Sequence, residues 1–143
     1  WGQNPPADMI ETWARNEAMF NLYLAQQLAQ VKIASVTVSP SAAGAGVYEV
    51  KAVVTNEGLI PTALDIAKRV KIVRPDSCTI QLGAGQELVK TAEGKPQRPA
   101  IELGWLNPGE SRTVTWHVKG AGAATVAAAS TRGGVDRREV AVK

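Results

Sequence analysis

Two hydrophobic periods divide this chain. Up to residue 30 large apolar side chains recur at helical spacing, and from residue 31 they alternate with polar ones in short runs. In the first part Met9, Trp13, Phe20, Leu24 and Leu28 fall four or seven residues apart, while Ile10, Met19, Leu22 and Tyr23 widen the apolar surface. Asn4-Pro5-Pro6-Ala7-Asp8 leads in. The prolines hold the preceding residues extended, and Asp8, with Glu11 three residues on, stands where a capping box would accept from free first-turn amides. The pattern predicts one helix over residues 4–30. A helix apolar around so much of its girth needs burial, either on the rest of this chain or against another domain. We take the second, with Met9, Trp13, Phe20 and Leu24 as the contact.

From Val31 the period shortens to two. Val31, Ile33, Val36 and Val38 mark a first strand, and the slip of one residue at Ala34-Ser35 is what a bulge would produce. Residues 39–46 are small and loop-like. Residues 47–55 make a strand with Tyr48, Val50, Ala52 and Val54 on one face and Glu49, Lys51 and Thr55 on the other. Asn56-Glu57-Gly58 closes it with turn chemistry. Pro61 keeps residues 59–69 out of a central strand and Ala63 to Lys68 suits a helical turn, so this stretch is a connection crossing the sandwich. Residues 70–73, 79–82 and 87–90 are short strand candidates, and the polar residues 90–99, with two prolines, form a mobile loop. Residues 101–120 read as two strands hinged on Asn107-Pro108-Gly109, with Val114, Trp116 and Val118 inward on the second arm. Residues 124–130 and 138–142, around Gly133-Gly134, give a last hairpin. Turn signals about every 8 to 12 residues among six to eight strands specify a mainly β chain: an immunoglobulin-like antiparallel β-sandwich preceded by one N-terminal α-helix.

A length of 143 residues holds one such domain and an attached element, which divides the chain into a terminal helix of an upstream domain, residues 1–30, and a sandwich, residues 31–143. The start at Trp1, with neither methionine nor a signal-peptide pattern, reads as a piece of a longer protein. Hydrophobic residues at 45% and charged residues at 20% argue for an ordinary folded chain. No apolar run approaches the roughly 18 residues of a membrane span. The net charge of +3 is spread along the chain. Two basic groups, Lys68, Arg69, Lys71 and Arg74 in the middle and Arg132, Arg137 and Arg138 near the end, are candidate anion patches, but no row of aromatics accompanies them and nucleic acid is not expected.

Candidate chemistry is sparse. Cys78 is the sole cysteine, which rules out an internal disulfide, and without an evident base it reads as an idle thiol. His117 is the sole histidine and has no spaced partners for a zinc site, so it reads as a strand residue on the polar face. Gly83-Ala-Gly85 and Gly120-Ala-Gly122 lie in turns without the helix that would anchor a phosphate. Asp8, Glu11 and Glu17 suit the positive end of the helix dipole. Of Trp1, Trp13, Trp105 and Trp116, Trp116 points inward and Trp13 belongs to the helix, and Trp105 is taken as the candidate ring for a ligand such as a sugar. No catalytic, cofactor-binding or metal residue is expected in this chain.

Two pieces resemble something known. Trp1-Gly-Gln-Asn-Pro-Pro-Ala-Asp8 and the helix after it resemble the end of the catalytic domain of bacterial zinc carboxypeptidase A-like enzymes. Tyr48-Glu-Val-Lys-Ala-Val-Val-Thr-Asn-Glu-Gly58, Ile60-Pro-Thr62, Gly104-Trp-Leu-Asn-Pro-Gly-Glu-Ser111 and Val114-Thr-Trp-His-Val-Lys-Gly120 are similar to the CARDB type of immunoglobulin-like accessory domain, found on secreted bacterial and archaeal enzymes. The resemblance implies a periplasmic or extracellular parent that removes C-terminal residues from peptides. This chain would be a non-catalytic accessory module beyond its active site, with the upstream catalytic domain as partner. That family holds zinc with a His-x-x-Glu pair and a later histidine, and uses a further glutamate as base. His117-Val-Lys-Gly120 is not such a motif, so the zinc is expected in the parent and no ligand is carried over. The alternative is a binding module that recruits the parent to cell-wall glycan or protein through a sheet face or residues 90–99.

Overall fold

The strands with the strictest alternation lie at the centre of the molecule. In the computed structural model, which describes residues 6–90 and 94–143, β2 (Val47–Asn56) pairs antiparallel with β6 (Ser111–Lys119), setting Val50 opposite Trp116 and Ala52 opposite Val114. β1 (Val31–Pro40) covers the other edge of β2, and the two-residue β4 (Glu87–Leu88) covers the other edge of β6. The second sheet consists of β3 (Asp76–Leu82), β5 (Ala100–Gly104), β7 (Gly122–Ser130) and β8 (Gly134–Val142), in the order β5-β3-β7-β8. The chain is thus a mainly β, immunoglobulin-like antiparallel sandwich with an N-terminal helix. β7 and β8 form the expected last hairpin, and the expected bulge in β1 falls between Ile33 and Ser35.

Between the sheets, Val50, Ala52, Val54, Val114, Trp116 and Val118 meet Cys78, Ile80, Ala124, Val126, Ala128 and Val142 in one buried cluster. β7 contributes only small side chains, which leaves room for the fully buried Trp116 indole at interior packing density. Its polar end is satisfied too, since Trp116 Nε1 donates to the Arg98 carbonyl at 3.2 Å. The start of β1 closes one side of the sandwich: Val31 N donates to Gly133 O at 2.8 Å, and Ile33 N donates to Asp136 Oδ2 at 2.9 Å. A carboxylate of β8 there takes the place of a ladder carbonyl and ties the two sheets together.

Several sequence expectations are corrected. Residues 101–120 are not a hairpin, because β5 pairs with β3 and β6 with β2, in different sheets. The Asn107-Pro108-Gly109 turn does form, with Glu110 N donating to Asn107 O at 3.0 Å. Before it, however, Gly104 bends the chain at φ 78°, and Leu106 is buried and held across the gap by Thr62. Thr62 Oγ1 accepts from Leu106 N at 2.9 Å while Thr62 N donates to Leu106 O at 3.0 Å. Residues 70–73 are not a strand. They follow the short α2 (Asp65–Arg69), with Lys71 at φ 55°, and only Val73 turns inward, onto Ala63 and Ala67. β3 begins earlier than residue 79, and β4 stops at Leu88, although Val89 N still donates to His117 O at 3.0 Å.

The helix α1 runs Ile10–Gln26 behind a 3-10 turn at Ala7–Met9, shorter than the 4–30 span that periodicity suggests. Residues 4 and 5 of that span lie outside the described residues. Asp8 makes no cap, because Met9 N donates to Pro6 O and the turn therefore begins ahead of Asp8. The anticipated capping box does not form.

Two measurements check this account. Trp116→Ala is expected to cost about 3–5 kcal/mol in chemical denaturation, from lost burial and the cavity left behind. Asp136 is held below the usual aspartate range by the Ile33 amide, against the cost of desolvation and with help from the Arg137 amide and nearby Lys32 and Arg138. Glu110 is held low by the Asn107 amide and by Arg112. Both carboxylates bind fewer protons folded than unfolded, so their contribution is complete above their unfolded values and is lost as pH falls through the folded ones. Unfolding midpoints should therefore decline below about pH 4.5, and Asp136→Asn should flatten that decline.

Candidate docking surface

The sequence Ile10–Gln26 contains neither glycine nor proline and carries three alanines, two leucines and two glutamates, so it is helical by propensity. Its 17 residues are nevertheless marginal for a helix alone in water, where an apolar face normally gains stability by packing. Here it has none: no residue of α1 is buried and no strand packs along it. Met9, Trp13, Phe20 and Leu24 fall on one stripe and are 43%, 50%, 55% and 46% exposed. Trp13 and Phe20, with Asn16 and Glu17, line a shallow groove of about 370 Å³. Ile10, Met19, Leu22 and Tyr23 are exposed around the rest of the helix.

The C-terminal end of α1, by contrast, is firmly fixed. Asn56, fully buried at the end of β2, accepts at Oδ1 from Gln30 N (2.9 Å) and Gly58 N (3.1 Å), and donates from Nδ2 to Ile60 O (2.9 Å) and Leu106 O (3.3 Å). Its main chain joins the turn after Leu106, donating to Glu110 O at 3.1 Å and accepting from Gly109 N at 2.8 Å. Leu59 N reaches Gln27 O at 3.1 Å and Glu57 N reaches Gln30 O at 2.8 Å. A side chain at Gly58 would run into the Leu28 carbonyl. Because Leu59 is bonded to the end of the helix, the exposed apolar residues of the following connection, Leu59, Ile60, Leu64, Ile66, Val70 and Ile72, begin where α1 stops.

The remaining candidates are not brought to this surface. Trp105 is half-buried and packs on Ala63, Ala67 and Val73 beneath α2. Its indole N–H is buried with no partner among the described residues, as is Oδ1 of the fully buried Asp76, whose Oδ2 lies 3.4 Å from Leu106 N. His117 is half-buried with Nδ1 3.0 Å from Ser41 Oγ, at a cleft of about 270 Å³ that includes Glu49 and Lys90. Cys78 lies in the core, where burial pushes its thiol up to about 11 against a small opposing effect of the Thr79 amide. Among the described residues no three acidic, histidine or cysteine side chains converge as a metal site would require. The basic middle cluster divides: Lys68 pairs with Asp65 at 3.1 Å, while Arg74 lies with Arg98 at a groove of about 840 Å³ beside β5. Sequence reading missed that grouping, because the two arginines are 24 positions apart and meet only through the β3–β5 pairing.

Comparison with known proteins adds the following. A family model described as a domain of unknown function (DUF8731) matches residues 30–141. None of the curated proteins matches the chain. Among solved structures, the chain is similar to part of the Bifidobacterium adolescentis GH3 β-glucosidase, at 20% identity and a TM-score of 0.35, covering 80% of this chain and 17% of that one. It is similar to part of DesR, a β-glucosidase from Streptomyces venezuelae in complex with D-glucose, at 18% identity and a TM-score of 0.34, covering 80% and 15%. β-Glucosidase 3B from Thermotoga neapolitana gives 17% identity and a TM-score of 0.34, covering 80% and 16%. The chain spans less than a fifth of the length of each of these structures.

Thiol chemistry reports on the core directly. A soluble disulfide reagent at neutral pH should leave Cys78 unmodified in the folded chain and label it only at the rate of global unfolding. Gly58→Ala should lower the unfolding midpoint by forcing the Leu28 and Leu59 segments apart, with the larger change in the protection of Gln27 and Gln30 amides.

Proposed function

The chain belongs to the DUF8731 family, and we propose that it is a non-catalytic accessory module that docks through α1 against a neighbouring domain of a longer protein. The observation that carries the proposal is a helix of 17 residues with no buried side chain, anchored at one end to a well-packed sandwich. Burying what remains exposed of Met9, Trp13, Phe20 and Leu24 is worth on the order of 3–6 kcal/mol before ordering costs. Covalent linkage to the neighbour gives that contact a high effective concentration. The sequence resemblance makes a zinc carboxypeptidase domain the neighbour. In that arrangement the parent supplies zinc, base and substrate pocket, and this chain supplies a rigid support.

Hydrogen exchange provides the test. In this chain alone, α1 amides should exchange close to the rate of an unstructured peptide while those of β2 and β6 are strongly protected. In the longer protein, with the preceding domain present, α1 should gain protection and Trp13→Ser with Phe20→Ser should remove it. Protection of α1 equal to that of β6 in the chain by itself would end the docking reading. Stoichiometric zinc and peptidase turnover in this chain alone would end the non-catalytic one.

A further inference from the structure

A second surface lies on the outer side of β3 and β5. Among the described residues β5 is the end strand of its sheet. Ile80 N donates to Pro99 O at 2.9 Å, and bonded pairs alternate along an antiparallel ladder, so the next bonded pair is Cys78 with Ile101. The N–H and C=O groups of Ala100 and Glu102 therefore point away from β3, toward the open side. Beside them lies the groove of about 840 Å³, walled by Pro75, Pro99 and Ile101 and carrying Arg74, Arg98 and Ser77. Neither guanidinium has an ion pair or hydrogen bond among the described residues.

We propose that the free edge of β5, with Arg74 and Arg98, is a docking site for an extended acidic peptide segment that adds a strand to the sheet. Main-chain bonds to Ala100 and Glu102 would supply affinity, and carboxylates held by the guanidinium forks would select the sequence. The edge is already set for this. Trp116 Nε1 fixes the Arg98 carbonyl at 3.2 Å, and Gln97 clamps the approach by accepting from His117 N at 3.1 Å and donating to Val89 O at 2.7 Å. Little ordering is then left to oppose binding. Arg98 precedes β5 while Arg74 stands beside its other end, where Asp76 pairs with Gly104, so the two positive charges flank the strand. Glu102 between them disfavours a carboxylate at the middle of the ligand. A matching segment carries acidic residues at both ends of a short uncharged β-forming stretch. The free strand edge is what favours a peptide over an anionic glycan.

The test is an amide NMR titration of the whole chain with the synthetic peptide Asp-Val-Thr-Val-Thr-Asp, blocked at both ends. Shifts should centre on Ala100 and Glu102, and these amides should gain protection from exchange. The variant carrying Arg74→Ala and Arg98→Ala should keep its unfolding midpoint and bind at least about tenfold more weakly, while Arg74→Lys with Arg98→Lys restores part of the loss. A version with lysine for aspartate, and one N-methylated along its backbone, should not bind. Equal binding of the lysine version, undiminished binding of the N-methylated one, or shifts centred elsewhere would overturn the proposal. So would β5 protection arising from dimers of the chain without peptide, or binding of oligogalacturonate at this groove where the peptide has none.

Discussion

Asn56 is the point on which the arrangement depends. Three stretches of chain converge on it: the residues that follow α1, the end of β2 with the turn at Gly58 and the connection at Ile60, and the crossing between β5 and β6. A buried amide is costly unless its donors and acceptors are all satisfied. Here both Oδ1 and Nδ2 are used twice, and every partner is a main-chain group. The side chain thus does for irregular loops what a ladder does for strands. It also explains how the helix is fixed at its C-terminal end while its length remains free of the sandwich.

The same logic orders the adjoining connections. Thr62 and Leu106 bond as a pair, and so join the long β2–β3 crossing to the β5–β6 crossing. Both crossings are excursions from one sheet to the other at one end of the sandwich. Their joint closure is what converts a sequence with a plain Pro-Gly turn into a change of sheet. The satellite cluster of Ala63, Ala67, Val73 and Trp105 sits on top as a lid over that end.

The period-2 pattern made the core legible, because alternation at Val50, Ala52, Val54, Val114, Trp116 and Val118 reports directly which face is buried. The bulge was legible for the same reason, as a break in phase at Ala34-Ser35. What pairs with what was not. Strands of four to nine residues carry no partner information, so adjacency in sequence made residues 101–120 look like a hairpin. Helical spacing likewise revealed the apolar stripe of α1 but not its end, which is set by Gln30 reaching Asn56, a contact across 26 positions. The role of Asn56 was hidden because asparagine before Glu-Gly is ordinary turn composition. The apposition of Arg74 and Arg98 was hidden because it exists only after β3 and β5 have paired.

The closure of β1 onto β8 has a mechanical consequence. Val31, at the start of β1, is bound to Gly133 beside the β7–β8 turn, whereas β8 runs from there to Val142 at the far end. Entry and exit of the sandwich are therefore at opposite poles. Tension transmitted through α1 would run parallel to β1 and load its ladder with β2 in shear, all rungs at once, with the Asp136 contact as an added brace. A module attached in this way would behave as a stiff tether and resist being unzipped strand by strand.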